Sequence, residues 1–135
     1  MEKNMSTLYE KDFYGWCRTQ ADRLRSGSTD LDLTNLAEEI ESLGRSEKKE
    51  LINRLTILIC HMLKWECQVE RRSRSWENTI MEQKQKINEL LEENPSLRHS
   101  LESSIEKSMK WGRWEASKET GLELEKFPSW IEINL

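Results

Sequence analysis

A chain of 135 residues and 16.1 kDa has room for one compact domain and almost none for two. Its 21 basic and 25 acidic residues make up 34% of the chain yet leave a net charge of only −4. The strong net charge that keeps a weakly hydrophobic chain unfolded is therefore missing, although mean hydropathy is low at −0.83.

A folded protein with a small core and a crowded, balanced shell of charge is expected, with six Trp supplying apolar area that the aliphatic residues do not. No apolar run approaches the roughly 20 residues that span a bilayer. The longest apolar-rich stretch, Leu55 to Leu63, already contains Thr56 and His61, and Met1-Glu2-Lys3-Asn4 opens no signal pattern. A cytoplasmic protein with no membrane partner is the expectation. Cys60 and Cys67 lie seven apart in a helical pattern, about 10 Å, beyond disulfide reach. Together with Cys17 they read as reduced structural thiols.

Val69 is the sole valine, and apolar residues recur at spacings of three and four, so the fold class is all-α. Residues 1–7 read as a frayed N-terminus. A first helix starts at the N-cap Asp12 and stops near Ser26-Gly27-Ser28. A second begins around Asp30 to Asp32 and carries Leu33, Leu36, Ile40 and Leu43 as its apolar stripe, with a break or kink expected at Gly44. From Glu47 to about Gln68 comes the clearest pattern: Leu51, Ile52, Leu55, Leu58, Ile59, Met62 and Leu63, with Ile57, Cys60 and Trp65 widening it. A helix apolar on more than one side is the central one, or also serves a dimer interface.

After the basic connector Glu70-Arg71-Arg72-Ser73-Arg74, Ser75 is read as the cap of a helix that ends at Asn94-Pro95. Ser96 opens the last helix, with Leu97, Leu101, Ile105 and Met109 four apart, running through Trp111 and Trp114 to Gly121. Residues 122–135 form an irregular apolar strap around Phe127 and Trp130. The sum is one domain, a helical bundle of four to five helices.

Several stretches also carry a family resemblance. Leu8-Tyr9-Glu10-Lys11-Asp12-Phe13-Tyr14-Gly15-Trp16, Leu36 to Lys48, His61-Met62-Leu63-Lys64-Trp65 and Arg71-Arg72-Ser73-Arg74-Ser75-Trp76 occur in order, followed by Asn94-Pro95-Ser96-Leu97, Thr120-Gly121-Leu122 and Phe127-Pro128. Together they resemble the bacterial "domain of unknown function twenty-nine" family, abundant in cyanobacteria. The resemblance implies an all-helical bacterial domain and brings no reaction or catalytic residue with it.

Chemistry-bearing residues are few. Glu38 and Glu41 share a helix face and, with His61 from an adjacent helix, form the one candidate metal or acid–base set. Against it, five Glu-to-base pairs at i,i+4 (Glu41–Arg45, Glu50–Arg54, Glu70–Arg74, Glu82–Lys86, Glu106–Lys110) describe a solvated helical shell. No cofactor and no catalytic residue is assigned, and the balance leans away from an enzyme.

Arg71, Arg72 and Arg74 with Trp76 are the basic candidates. An ion-pair network to Glu38, Glu39 and Glu41 is favoured, a protein partner comes second, and nucleic acid is a weaker third given a pI near 5.4. Trp111 and Trp114 form either an exposed patch for a partner or a surface covered by the strap at Trp130. The favoured function is a small non-catalytic interaction module that binds a protein or self-associates. An accessory role such as neutralising a toxin fits that class.

Overall fold

A computed structural model describes residues 5–135. Five α-helices follow one another: α1 (Met5–Lys11), α2 (Phe13–Arg25), α3 (Leu33–Cys67), α4 (Arg74–Glu93) and α5 (Leu101–Thr120). Short 3-10 turns lie at Val69–Arg71, Pro95–Ser100 and Leu124–Lys126, and no strand occurs among the described residues. The protein is all-α. Its packing divides into two compact units, Met1–Ser46 and Glu47–Leu135.

In the first unit Asp12 caps α2 as expected, its carboxylate accepting from Gly15 N at 3.0 Å. The helix stops before Gly27, whose φ of 76° is open to glycine at little cost. Helix α1 is an addition to the sequence reading. Residues 1–4 of the expected frayed terminus lie outside the described residues, and 5–7 are helical, secured by the ring of Tyr9 packing edge-on against Trp16 at 4.8 Å and Phe13 at 5.6 Å.

Buried Trp16 donates from Nε1 to Asp32 at 3.0 Å, and Asp32 N donates to the Gln20 amide oxygen at 2.9 Å. Asp32 also accepts from Asn35 Nδ2 at 2.8 Å, so one carboxylate joins α2 to the start of α3. Farther along α3, Glu39 accepts from the Tyr9 hydroxyl. That hydrogen bond, with burial and the neighbouring carboxylates, pushes the Tyr9 phenol up to about 12.

The break expected at Gly44 does not occur: α3 runs unbroken from Leu33 to Cys67. Gly44 takes a helical conformation, and a glycine's cost of about 1 kcal/mol is outweighed by the strong helix formers on both sides. A Cβ added there meets nothing within 4 Å. Gly44→Ala is therefore expected to raise stability by about 0.5–1 kcal/mol, read from the denaturant midpoint at constant slope. The apolar stripe of this half is largely open: Leu33, Ile40 and Leu43 are 70%, 66% and 70% exposed, and Leu36 is half-buried.

In the second unit the C-terminal half of α3 is the central element, as its broad apolar pattern implies. Leu51, Leu55 and Leu58 pack with Ile87, Leu90 and Leu91 of α4. Ile59, Cys60 and Leu63 face Met109 and Ala116 of α5 and Phe127 of the tail. Helix α4 starts two residues earlier than expected, because Ser73, not Ser75, accepts from Trp76 N, at 3.2 Å. Pro95 ends it, and a 3-10 turn precedes α5.

Helix α5 packs its expected stripe on the core, with Met109 buried, and adds a second buried line beside it. Leu101 and Ile105 are half-buried, and its deepest line is the small series Ser104, Ser108, Gly112, Ala116. Small residues four apart let two helix backbones approach closely. The Ser108 hydroxyl shares the Ser104 carbonyl at 2.7 Å and the Ile52 carbonyl of α3 at 3.1 Å.

Gly121, at φ 77°, ends α5 in the left-handed cap position. The tail then folds back as the expected strap. Phe127 is buried, Ile131 and Ile133 pack on the core, and Arg113 donates to the carbonyls of Leu124 and Phe127 at 3.0 and 3.2 Å.

Of the five expected Glu-to-base pairs, two form, Glu50–Arg54 at 2.9 Å and Glu82–Lys86 at 3.0 Å. Arg45 takes Glu38, two turns away, in place of Glu41. Glu70 lies in the turn before α4, so it lacks the helical register that would bring it to Arg74. Glu106–Lys110 does not form, and nothing in the structure explains it.

Candidate functional site

In the second unit a pair of adjoining grooves lies along the seam of α3 and α5. The small line of α5 draws the two backbones together, and the larger side chains on either side of it stand away as walls. One end is a groove of ≈ 410 Å³ lined by Lys49, Ile52, Asn53, Thr56, Lys107, Trp111 and Glu115. The other, of ≈ 380 Å³, shares Asn53, Thr56 and Glu115 and adds Ile57, Cys60, His61 and Glu119. Lys49 and Lys107 line the first end, His61 and Glu119 line the second, and Glu115 is common to both.

Trp111 stands 52% exposed beside this groove, and Trp114, 49% exposed, meets it edge to face at 6.1 Å. Lys118 lies over the Trp114 ring at 4.9 Å. Trp130, in the strap, is itself 52% exposed. The two α5 tryptophans thus remain open, which favours the patch over the covered surface weighed from the sequence.

At the acidic end the chemistry is held quiet. His61 donates from Nδ1 to the Ile57 carbonyl at 2.8 Å, since a carbonyl can only accept. Burial, reinforced by the Glu119 carboxylate, pushes the Cys60 thiol up to about 12 and keeps it protonated. Beneath, Lys64 is only 7% exposed; its Nζ sits 2.7 Å from Glu119 and 5.0 Å from the Trp76 ring centre. This ion pair ties α3 to α5 and holds the Glu119 carboxyl below its usual value. Nothing in the local sequence announces this pairing, because the two residues are 55 apart in the chain.

The other candidates are distributed differently from the expectation. Arg72 turns back on its own helix junction, donating from Nε to the Trp65 carbonyl at 2.8 Å with its guanidinium 4.7 Å from the Trp65 ring centre. Glu38 takes Arg45 and Glu39 takes Tyr9, while Arg71 and Arg74 are exposed. Glu38, Glu39 and Arg72 thus each have a partner within their own unit.

Glu38, Glu41 and His61 all lie on α3, whereas a joint ligand set needed two adjacent helices. No three His, Cys, Asp or Glu side chains come together as metal ligands among the described residues. A smaller groove of ≈ 230 Å³, lined by Met62, Trp65, Glu66, Glu77, Ile80 and Met81, lies between α3 and α4. No helix of the described residues is long and apolar enough to cross a membrane.

Fold and surface together define a small all-α protein with an open groove lined by charged side chains and the exposed Trp111. The family model "Domain of unknown function DUF29" matches residues 8–135, and the chain belongs to that family. No curated protein and no solved structure matches it.

Proposed function

We propose that this chain is a non-catalytic interaction module of the bacterial cytoplasm whose α3–α5 groove receives a segment of a protein partner. The observation that carries the reading is the half-exposed pair Trp111 and Trp114, of which Trp111 lines the groove. Tryptophan is the residue type that most often anchors an interface when it stands in an otherwise polar surface. The charges suit a segment with an apolar anchor for Ile52 and Trp111 and a basic residue for Glu115 and Glu119. Three free thiols, one of them buried, fit a reducing compartment.

The test is capture with the full chain and with Trp111→Ala as baits, followed by titration of the purified captured protein. Loss of about 2 kcal/mol of binding, some thirtyfold, is expected for Trp111→Ala, with Tyr14→Ala unchanged. A partner that binds both baits equally, or none at all, overturns the reading.

A further inference from the structure

Helices α3 and α5 run in the same direction, fixed at two points by the Ser108–Ile52 hydrogen bond at 3.1 Å and the Lys64–Glu119 ion pair at 2.7 Å. One face of each helix therefore lines the seam in matching order. On α5 that face is Lys107, Trp111 and Glu115, four apart and so about 6 Å apart along the axis. On α3 it is Lys49, Ile52, Asn53 and Thr56. Lysines come first along the seam, the apolar surface of Ile52 and the exposed Trp111 follows, and Glu115 comes last.

These groups are short of partners. Neither lysine forms an ion pair among the described residues, and the Asn53 amide makes no hydrogen bond there. Glu115 holds only the exposed Lys118, at 3.7 Å. Farther on, Glu119 is already taken by Lys64.

We infer that the segment received by this groove is an α-helix laid along the seam, with an acidic, a large apolar and a basic residue at successive four-residue intervals on one face. The inference rests on reading the groove as the docking site and adds the form and charge order of its occupant. Four-residue spacing in a helix repeats the interval of Lys107, Trp111 and Glu115. The carboxylate then meets the two lysines, the apolar side chain meets Ile52 and Trp111, and the base meets Glu115. Alternate residues of an extended segment would match a similar interval, but its backbone N–H and C=O groups would need partners. The walls are helices whose own backbone groups are bonded internally, and Asn53 is the one amide side chain in the lining. A helix arrives with its backbone already satisfied.

The probe is an alanine-based peptide of about 16 residues, long enough to form a helix, with Glu, Leu and Arg at four-residue intervals. Two controls carry Arg, Leu and Arg or Glu, Leu and Glu, and a third keeps the original side chains with proline beside the Leu. Labelled peptides are titrated with the full chain and followed by fluorescence anisotropy. The Glu-Leu-Arg peptide is expected to bind about tenfold tighter than either charge control and to lose that preference at high salt. Lys107→Glu, with an unchanged unfolding midpoint, is expected to turn the preference to the Arg-Leu-Arg peptide. The proline peptide is expected to bind about tenfold more weakly.

No binding by any of these peptides, equal binding by the three charge patterns, a preference unmoved by Lys107→Glu, or full binding by the proline peptide overturns the inference. A captured partner that loses affinity with Trp111→Ala but is indifferent to Lys107→Glu leaves the docking site standing and removes this occupant.

Discussion

Gly112→Ala is expected to destabilise the protein, opposite in sign to Gly44→Ala on the same kind of element. In both cases alanine gains up to about 1 kcal/mol of helix propensity. At Gly112, however, the added Cβ falls 2.6 Å from Ile59 Cγ2 and 3.0 Å from Ile59 Cβ, both close to the α3 backbone on a fully buried, β-branched side chain. Ile59 cannot swing away as the end of a long side chain would. Overpacking of this kind costs about 1–3 kcal/mol, enough to exceed the propensity gain.

Gly112→Leu is expected to cost more, about 3 kcal/mol, or to prevent α5 from docking. Denaturant unfolding of the two alanine variants side by side is the measurement. Ile59→Leu, which removes the offending Cγ2, should recover part of the loss in the double variant, giving a favourable coupling. Additive costs in that cycle would show that the close approach of α5 to α3 is not what Gly112 serves.

The second large effect concerns Lys64. Replacing Glu119 by glutamine leaves an ammonium that is 7% exposed facing a neutral amide. Breaking a fully buried pair costs several kcal/mol. The Glu119 side chain is 42% exposed and water reaches it, so about 1–2 kcal/mol is expected for Glu119→Gln. Lys64→Met removes the buried charge and keeps the stem packed beside Trp76, and is expected to lie within about 1 kcal/mol of the wild type.

The pH dependence follows from the direction of the shift. The Lys64 hydrogen bond holds the Glu119 carboxyl below its ordinary value of 4.5 against the opposing effect of burial, so the folded state binds this proton less readily than the unfolded state. Its contribution is complete above pH 4.5 and is lost as pH falls through the lower folded value. Stability curves of the wild type should therefore fall more steeply below pH 4.5 than those of Glu119→Gln. Parallel curves would remove the pair from any role in acid sensitivity.

Much of the architecture is legible in local chemistry. Asp12 at the start of α2, Pro95 after α4 and Gly121 after α5 act on their immediate neighbours, and each stands where the sequence places it. The broad apolar pattern from Leu51 to Leu63 identifies the central helix for the same reason, since neighbours on two sides leave only a narrow polar strip. Cap selection at Ser73 over Ser75 and the continuity of α3 through Gly44 are less legible. Both turn on differences of about 1 kcal/mol between neighbouring alternatives.

The candidate surface was legible only in part. Trp111 and Trp114 stand out from their spacing, but the groove beside them depends on Ser104, Ser108, Gly112 and Ala116. These residues read as unremarkable in a sequence searched for large apolar side chains.

By itself, then, the sequence determined that this chain is helical, where most of its helices stop, and which of them lies at the centre, because caps, breakers and periodicity operate within a few residues. Only the tertiary structure decided what those helices face. The regular stripe of Leu33, Ile40 and Leu43 stands open, while a line of serines, glycine and alanine is buried. Periodicity states that a helix has an apolar side but not whether another element reaches it. Close approach also rewards the absence of a side chain, which no hydrophobic pattern records. The charged shell of the composition was resolved in the same way: one lysine of the 21 bases sits almost sealed on Glu119, and the partners of the acidic block are set by neighbours in space.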